Sequence, residues 1–557
     1  MGRVGTTGFD GWGAGSELIV NAPAKRMRNW VWLLLVCSPQ LAAQPNPPAG
    51  LTFGLPERIN LAPNGDEPDS PSFSPSVSAN GRFILYTSRA GNLLPGMPPG
   101  SQASTCENPI IRQWYVFDRQ TKSLERVSRA PDGSPARRAP QPPNCNPFGG
   151  TYSGGLSADG RFASFVSVGN NLIPGETTLR ARIYRFDRLE QRLDRVSVAA
   201  NGAGPSTSDG GHFVHDDFAN QYLFLCRELI GLGINDERVA CLKNMQTGAI
   251  VAAVRGNNGE RLAAFVAISG NGRFLAYASS DPAFLPEIGN GTLQIVRYEI
   301  VSGERVIVSR RRTGELSSFV SASPFLEPIS VNFDGTVMTF ATRDAGPPTA
   351  ITSSVAIWRE SVGYMETAID VGTQLPDQFA LFSNLSDDGG LLLYGNSDAS
   401  FPTAPPGIER SAPLELWLHR TRAEGAAGRF VRTTAGASPG AFSQRGHCDV
   451  PVGTSAPTTE VQKLYNTVSL NCPQLSGSGN LAVFITRAND LVPGDSNMNL
   501  TTEELRDITI GQRALDIYAV PIFDAEKRLV VPVPIGNCWL WGTFALLVLL
   551  VGVRVRG

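Results

Sequence analysis

Three stretches carry side chains whose types and spacing could do chemistry. Gly436-Ala437-Ser438-Pro439-Gly440 spells G-x-S-x-G, the turn that presents a serine nucleophile between a strand and a helix. Pro439 has no backbone N–H to offer an oxyanion and no helical pattern follows, so Ser438 reads as part of a turn. His212 and His215 stand beside Asp216 and Asp217, groups a metal accepts, but only 4 histidines occur in 557 residues and no zinc spacing accompanies them. That stretch reads as a solvated loop. In "DLVPGDSNMNLT", Asp495, Asn497 and Asn499 offer alternating oxygens of the kind calcium coordinates, without the Gly and distal Glu of an EF-hand loop. There is no His-Glu-x-x-His and no phosphate loop. The expectation is no catalytic residue and no cofactor, with calcium at Asp495, Asn497 and Asn499 as the metal alternative.

Cysteine chemistry points to an oxidising compartment. Setting aside Cys37 and Cys538, six cysteines remain: Cys106, Cys145, Cys226, Cys241, Cys448 and Cys472. Six allow fifteen pairings. Neighbour pairing (Cys106 with Cys145, Cys226 with Cys241, Cys448 with Cys472) closes loops of roughly 15 to 40 residues each.

Both ends of the chain agree with export. Arg28 precedes an apolar run from Trp30 to Val36 and then Leu41-Ala42-Ala43, the order of a secretory signal peptide with Gln44 as mature start. The Gly-rich residues before Met27 are foreign to such a signal, and Met27 is the expected natural start. At the other end come Val531-Pro532-Val533-Pro534, an apolar run to Val553, then Arg554 and Arg556. About 19 residues from Ile535 are just enough to cross a ~30 Å hydrocarbon layer as a helix. The arginines would keep the terminus cytoplasmic. This tail resembles the PEP-CTERM sorting signals of Gram-negative bacteria, which a membrane protease reads, although Val533 stands where that motif has Glu. The expected division is therefore 1–43 as leader with its extension, 44–530 as the body, and 531–557 as Pro motif, membrane helix and basic end.

The body is built from one recurring phrase. "SADGRFASFVSVGNNLIPG" (157–175) returns as "SANGRFILYTSRAGNLLPG" (78–96), "SGNGRFLAYASSDPAFLPE" (269–287) and "SGSGNLAVFITRANDLVPG" (476–494), with weaker copies starting at 332, 386 and, most eroded, 217. Asn80-Gly81, Asp159-Gly160, Asn271-Gly272 and Asp334-Gly335 accept positive φ and are expected to close two-residue hairpins. The strand after each turn is apolar on nearly every residue, which implies burial on both faces. Two more strands follow, as in "ARIYRFDRLE" (181–190) and "LDRVSVAANG" (193–202).

Four short strands per unit, repeated at about 50 to 90 residues, predict an all-β propeller of four-stranded blades, seven with six as the alternative. "ERINLAPNGDEP" (57–68) matches the fourth-strand phrase "ERVSRAPDGSPA" (125–136) yet precedes the first turn. An N-terminal strand is therefore expected to complete the last blade and close the ring. The phrases S-x-D-G-R, N-L-h-P-G and Y-x-F-D-R resemble the WD-like repeats of TolB-type propellers over about residues 57 to 530.

Net charge is −2 with both signs dispersed, which gives nucleic acid no basic stripe to bind. The functional expectation is an exported, non-enzymatic propeller, in the periplasm or at the cell surface, that binds a protein or glycan of the envelope. Its partners would meet non-repeating insertions such as 97–112 and 438–471, and its C-terminal helix would meet the membrane and a sorting protease. The alternative is a propeller hydrolase or lyase at the central channel, which would need His, Asp or Glu repeated at the blade starts. Ser, Ala and Asn stand there instead.

Overall fold

Ser157-Ala158-Asp159-Gly160-Arg161-Phe162 shows how the repeated turn is made. Gly160 N–H donates to the Ser157 carbonyl (2.8 Å), with Gly160 at φ +72°, a left-handed value that glycine adopts without strain. The Asp159 carboxylate accepts from the Ser157 hydroxyl (2.6 Å) and the Arg161 N–H (2.9 Å), and Ser157 Oγ accepts from the Phe162 N–H (2.9 Å). Ser78, Asn80 and Gly81 repeat this set, as do Ser269, Asn271 and Gly272. Asn332 takes the serine's place before Asp334-Gly335. The loops differ from the two-residue form expected. In these four turns only the glycine is left-handed, and the Asn or Asp before it closes a four-residue loop with its side chain.

In the computed structural model, which describes residues 51–97, 111–138, 153–176, 181–198, 213–226, 239–254, 266–280, 292–317, 329–342, 354–367, 380–397, 414–421, 427–429, 472–486, 491–492, 495 and 515–524, these turns join strands into blades. Two short strands come first, β1 (Leu51–Phe53) and β2 (Glu57–Arg58). Blade 1 is β3 (Ser72–Val77), β4 (Phe83–Ser88), β5 (Gln113–Asp118) and β6 (Ser123–Arg126). Blade 2 is β7 (Gly154–Leu156), β8 (Phe162–Ser167), β9 (Arg182–Asp187) and β10 (Arg192–Arg195). Blade 3 is β11 (Phe213–His215), β12 (Gln221–Cys226), β13 (Val239–Asn244) and β14 (Ile250–Val254). Blade 4 is β15 (Val266–Ile268), β16 (Phe274–Ser279), β17 (Gln294–Glu299) and β18 (Arg305–Ile307). Blade 5 is β19 (Ser330–Val331), β20 (Val337–Thr342), β21 (Ser354–Arg359) and β22 (Met365–Thr367). Blade 6 is β23 (Ala380–Leu385), β24 (Leu391–Ser397), β25 (Leu414–Arg420) and β26 (Ala427–Arg429). Blade 7 is β27 (Gln474–Leu475), β28 (Leu481–Thr486) and β29 (Asp516–Asp524), with β1 and β2 paired to β29.

The chain is thus a seven-bladed all-β propeller, and its most eroded repeat is a genuine blade 3. All pairings are antiparallel within blades. The first strands touch one another in a closed circle, β27 to β3, β7, β11, β15, β19, β23 and back, so they line the axis. The core lies between blades. The fourth residue of every second strand is a buried aromatic: Tyr86, Phe165, Phe224, Tyr277, Phe340, Tyr394 and Phe484. A two-faced apolar strand is what such seams require.

The turns also lock neighbouring blades together. A methyl group on Gly160 would lie 2.2 Å from a ring carbon of Phe83 in blade 1, and one on Gly335 would lie 2.3 Å from Phe274 in blade 4. Glycine is required here for close approach as well as for φ. Seven backbone hydrogen bonds then link the turns in a ring. Ala79 donates to Ala158 (2.9 Å), Ala158 to Asp217 (2.7 Å), Asp217 to Gly270 (2.9 Å) and Asn271 to Phe333 (2.9 Å). Phe333 donates to Asp387 (3.0 Å), Asp387 to Gly477 (2.7 Å) and Ser478 to Ala79 (2.8 Å).

Charged residues of the repeat serve the same end. Arg82 and Arg161 each grip the aspartate that ends their third strand, Asp118 and Asp187, through two nitrogens at 2.6 to 2.9 Å. The following arginines cross the seam: Arg119 to Glu57 (2.9 Å) and Arg188 to Glu125 (2.9 Å). Closure of the ring centres on Arg58 of β2, buried against Asp516 (2.7 Å), Glu67 (2.8 Å) and Asp495 (3.4 Å). Asn60 adds a bond to Asp516 (2.9 Å).

The two duties of the turn glycine separate experimentally. Gly65, at φ +87°, has open space where a side chain would go, so Gly65→Ala should cost only about 1 kcal/mol. Gly160→Ala should cost about 2 kcal/mol or more because Phe83 stands in the way. Urea unfolding of the two variants checks the difference, and equal losses would show that the seam contact does not matter.

Candidate functional site

Among the described residues, the hydrogen-bonded ring of turns encircles one end of the channel that the first strands line. Around it stand Ala79, Ala158, Asp217, Gly270, Phe333, Asp387 and Gly477. Five of these are apolar or lack a side chain. Asp217 of blade 3 and Asp387 of blade 6 are the charged members. Each carboxylate lies over the glycine of the next blade: a Cβ on Gly270 would meet Asp217 Oδ2 at 2.4 Å, and one on Gly477 would meet Asp387 Oδ2 at 2.1 Å. Neither glycine has a left-handed φ. They are present for space.

Crowding and charge alter the acid. Burial, then the Asp387 carboxylate, then Asp216 push the Asp217 carboxyl up from its ordinary 3.8 to about 7. At neutral pH that group therefore exchanges a proton with solvent. On the rim, Phe218 and Phe333 meet edge to face with ring centres 6.3 Å apart, and both are exposed (52% and 37%). Two carboxylates under an aromatic edge favour a cationic group over an anionic one.

Blade 3 supplies Asp217 and Phe218 to this site and departs most from the repeat. Asp216 replaces the turn serine, and its carboxylate accepts from Asn220 N–H (2.7 Å) and Gln221 N–H (3.0 Å). Ala219 replaces the glycine at φ +51°. His215 lies in an inner strand, stacked on Phe213 with ring centres 6.0 Å apart and tilted against Tyr222 at 5.3 Å. Its Nδ1 faces the Asp216 carbonyl oxygen (2.7 Å), which places the hydrogen on Nδ1. Its Nε2 is buried, without a hydrogen-bond partner among the described residues, over the bare backbone of Gly155, where a Cβ would lie 2.5 Å away. Burial lowers the His215 pKa. The reading of His215 as part of a solvated loop is therefore corrected: Phe213–His215 is the innermost strand of blade 3.

The other sequence candidates fall as follows. Asp495 is buried, with Oδ1 3.4 Å from Arg58 and Oδ2 accepting from the Tyr518 hydroxyl. Asn497 and Asn499 lie outside the described residues, as do Ser438, His212, Cys106, Cys145, Cys448, the leader 1–43, and the tail with Val531, Pro532, Pro534, Arg554 and Arg556. Cys226 and Cys241 occupy adjacent strands, opposite Val239 and Phe224 respectively. Cys241 and Cys472 are buried, and each is disulfide-bonded. Among the described residues, no group of three His, Cys, Asp or Glu side chains is placed to hold a metal ion, and no helix is long and apolar enough to cross a membrane.

No protein-family model matches the chain, and no curated protein matches it. Among solved structures it is similar to an oligogalacturonate lyase from Vibrio parahaemolyticus, at 8% identity and TM-score 0.41, over 85% of this chain and 96% of that one. It is also similar to the β-propeller domain of the Trilobed protease from Pyrococcus furiosus (8% identity, TM-score 0.38, 75% and 89% of the chains). TolB from Acinetobacter baumannii matches at 13% identity and TM-score 0.30, over 62% of this chain and 70% of that one.

The raised Asp217 pKa has a signed consequence. The folded state holds this proton more tightly than the unfolded chain does, so stability from the protonated acid is complete below about pH 4 and is lost as pH rises through about 7. Asp217→Asn should therefore melt above the parent at pH 8, by roughly 2 kcal/mol, and together with it at pH 4. Calorimetric midpoints at the two pH values measure this, and a pH-independent difference would contradict it.

Proposed function

We propose that the chain is an exported TolB-like propeller that acts as a binding scaffold for a protein or glycan of the bacterial envelope, without catalysing a reaction. The observation that carries this reading is where the repeat's charges go. Arg82, Arg161, Arg119, Arg188 and Arg297 all pair with acids of their own or an adjoining blade, so the repeated ionic groups serve assembly. Recognition then falls to segments that do not repeat, chiefly 97–112 and 438–471. Fold alone does not name the partner.

The rest of the proposal concerns address and cross-links. Residues 1–43 direct export, and 531–557 anchor the chain or are removed by a sorting protease. Cys226 pairs with Cys241, Cys106 with Cys145, and Cys448 with Cys472. Cys241 is disulfide-bonded and Cys226 lies on the strand paired with its own, which supports the first of these. No cofactor is needed, and Asp495, held by Arg58, serves ring closure in preference to calcium.

Two measurements test the proposal. Intact mass of the protein recovered from the envelope should show a start at Gln44 and either a complete tail or its loss beyond about Val531; an unprocessed N-terminus would contradict export. An immobilised body, residues 44–530, should retain an envelope protein or glycan, and replacing 438–471 by a short Gly-Ser linker should abolish retention. Turnover of the retained molecule would favour the hydrolase or lyase reading.

A further inference from the structure

The seam between blades 2 and 3 lacks an ionic bridge that the two seams before it carry. Phe83 faces Asp118, Phe162 faces Asp187 and Gln221 faces Asn244 across the second and third strands of blades 1, 2 and 3. The residues that follow, Arg119, Arg188 and Met245, thus occupy one repeat position, and each donates its N–H to the carbonyl of the residue after the turn, Arg82, Arg161 or Asn220. Arg119 and Arg188 use that position to cross to the acid on the preceding blade's outer strand, Glu57 and Glu125. The equivalent acid facing blade 3 is Asp194, which lies opposite Arg185 as Glu125 lies opposite Val116. Met245 cannot pair with it.

The seam stays open there. A cleft of about 620 Å³ is lined by Pro174, Glu176, Arg192, Arg195, Val198 and Met245, together with Arg185 and Asp194. Arg185 is committed to the Ala219 carbonyl (3.0 Å) and to Asp194 (2.9 Å). Arg192 also turns to Asp194 (3.1 Å) and remains 66% exposed, while Arg195 reaches Glu176 through Nη1 (2.6 Å). Three guanidinium groups therefore face two carboxylates beside the apolar shoulder of Pro174, Val198 and Met245. The volume suits a small ligand, and guanidinium forks match a carboxylate with two parallel bonds.

We propose that the cleft between blades 2 and 3 binds a small monocarboxylate with a partly apolar body, its acid on Arg192 and Arg195 and its body against Pro174 and Met245. This site is independent of any partner that the rim insertions recognise. The ligand's chemistry fits an acidic sugar unit or an acylated amino acid, and the test separates them.

The purified chain is titrated calorimetrically with glucuronic acid, N-acetyl-leucine, glucose and inorganic sulfate. One of the two acids should bind at least tenfold more tightly than glucose and sulfate, and the tighter one identifies the source. Met245→Arg supplies to Asp194 the bridge that blades 1 and 2 carry and fills the cleft, so it should weaken that acid at least tenfold without lowering the thermal midpoint. If the Met245 variant does not fold, Arg192→Glu on the exposed edge should give the same loss. Binding unchanged in the folded variants, no binding of either acid, or equal binding of sulfate would each overturn the proposal.

Discussion

Close approach of one blade's turn to the preceding blade's second strand is the constraint on which the propeller depends. A glycine lies against the ring of Phe83 or Phe274, and only a residue without a side chain fits. Once the turns sit there, the backbone groups beside those glycines meet their neighbours, and seven inter-blade hydrogen bonds follow around the axis. Each blade is a sheet too narrow to shield its own apolar faces, so its stability comes from the blades on either side. That is why the ring must close, and why β2 of the N-terminus is fastened to β29 through a buried arginine bound to three acids.

The same logic separates assembly from recognition. A buried arginine on its own would be costly, but an arginine that bridges to an acid of the next blade holds both partners in register while remaining partly hydrated. In blades 1 and 2 this bridge commits charges of the repeat to the seams. Two departures involve blade 3: the acidic, aromatic end of the channel at Asp217, Asp387, Phe218 and Phe333, and the cleft beside Met245, which stands where blades 1 and 2 have Arg119 and Arg188 and blades 4 and 7 have Ile300 and Ile522.

Much of the fold was legible because the repeat writes its reasons locally. The Asp-Gly and Asn-Gly turns, the two-faced strands and the displaced fourth strand at residue 57 led to the blade pattern and to ring closure. The turn geometry differs in one respect, since the dipeptide rule expects left-handed Asn or Asp where the side chain in fact closes the loop. Blade 3 was hardest to see because Asp216 does the work of serine and Ala219 that of glycine, so the phrase is absent while its hydrogen bonds survive. The meeting of Asp217 and Asp387 was illegible for a different reason. Their positions are 170 residues apart in the numbering and only closure of the ring brings their charges within range. A signal was present nonetheless: these are the two repeats in which an acid directly follows the first residue of the turn.

The central claim is that the turn phrase is an interlocking device between blades. It is tested most directly by a double-mutant cycle in unfolding free energy between Gly160 of blade 2 and Phe83 of blade 1. If the contact is the lock, truncating Phe83 to alanine should remove most of the penalty of Gly160→Ala beyond the cost of its left-handed backbone, giving a coupling of about 1 kcal/mol or more. Additive losses, with coupling near zero, would contradict it.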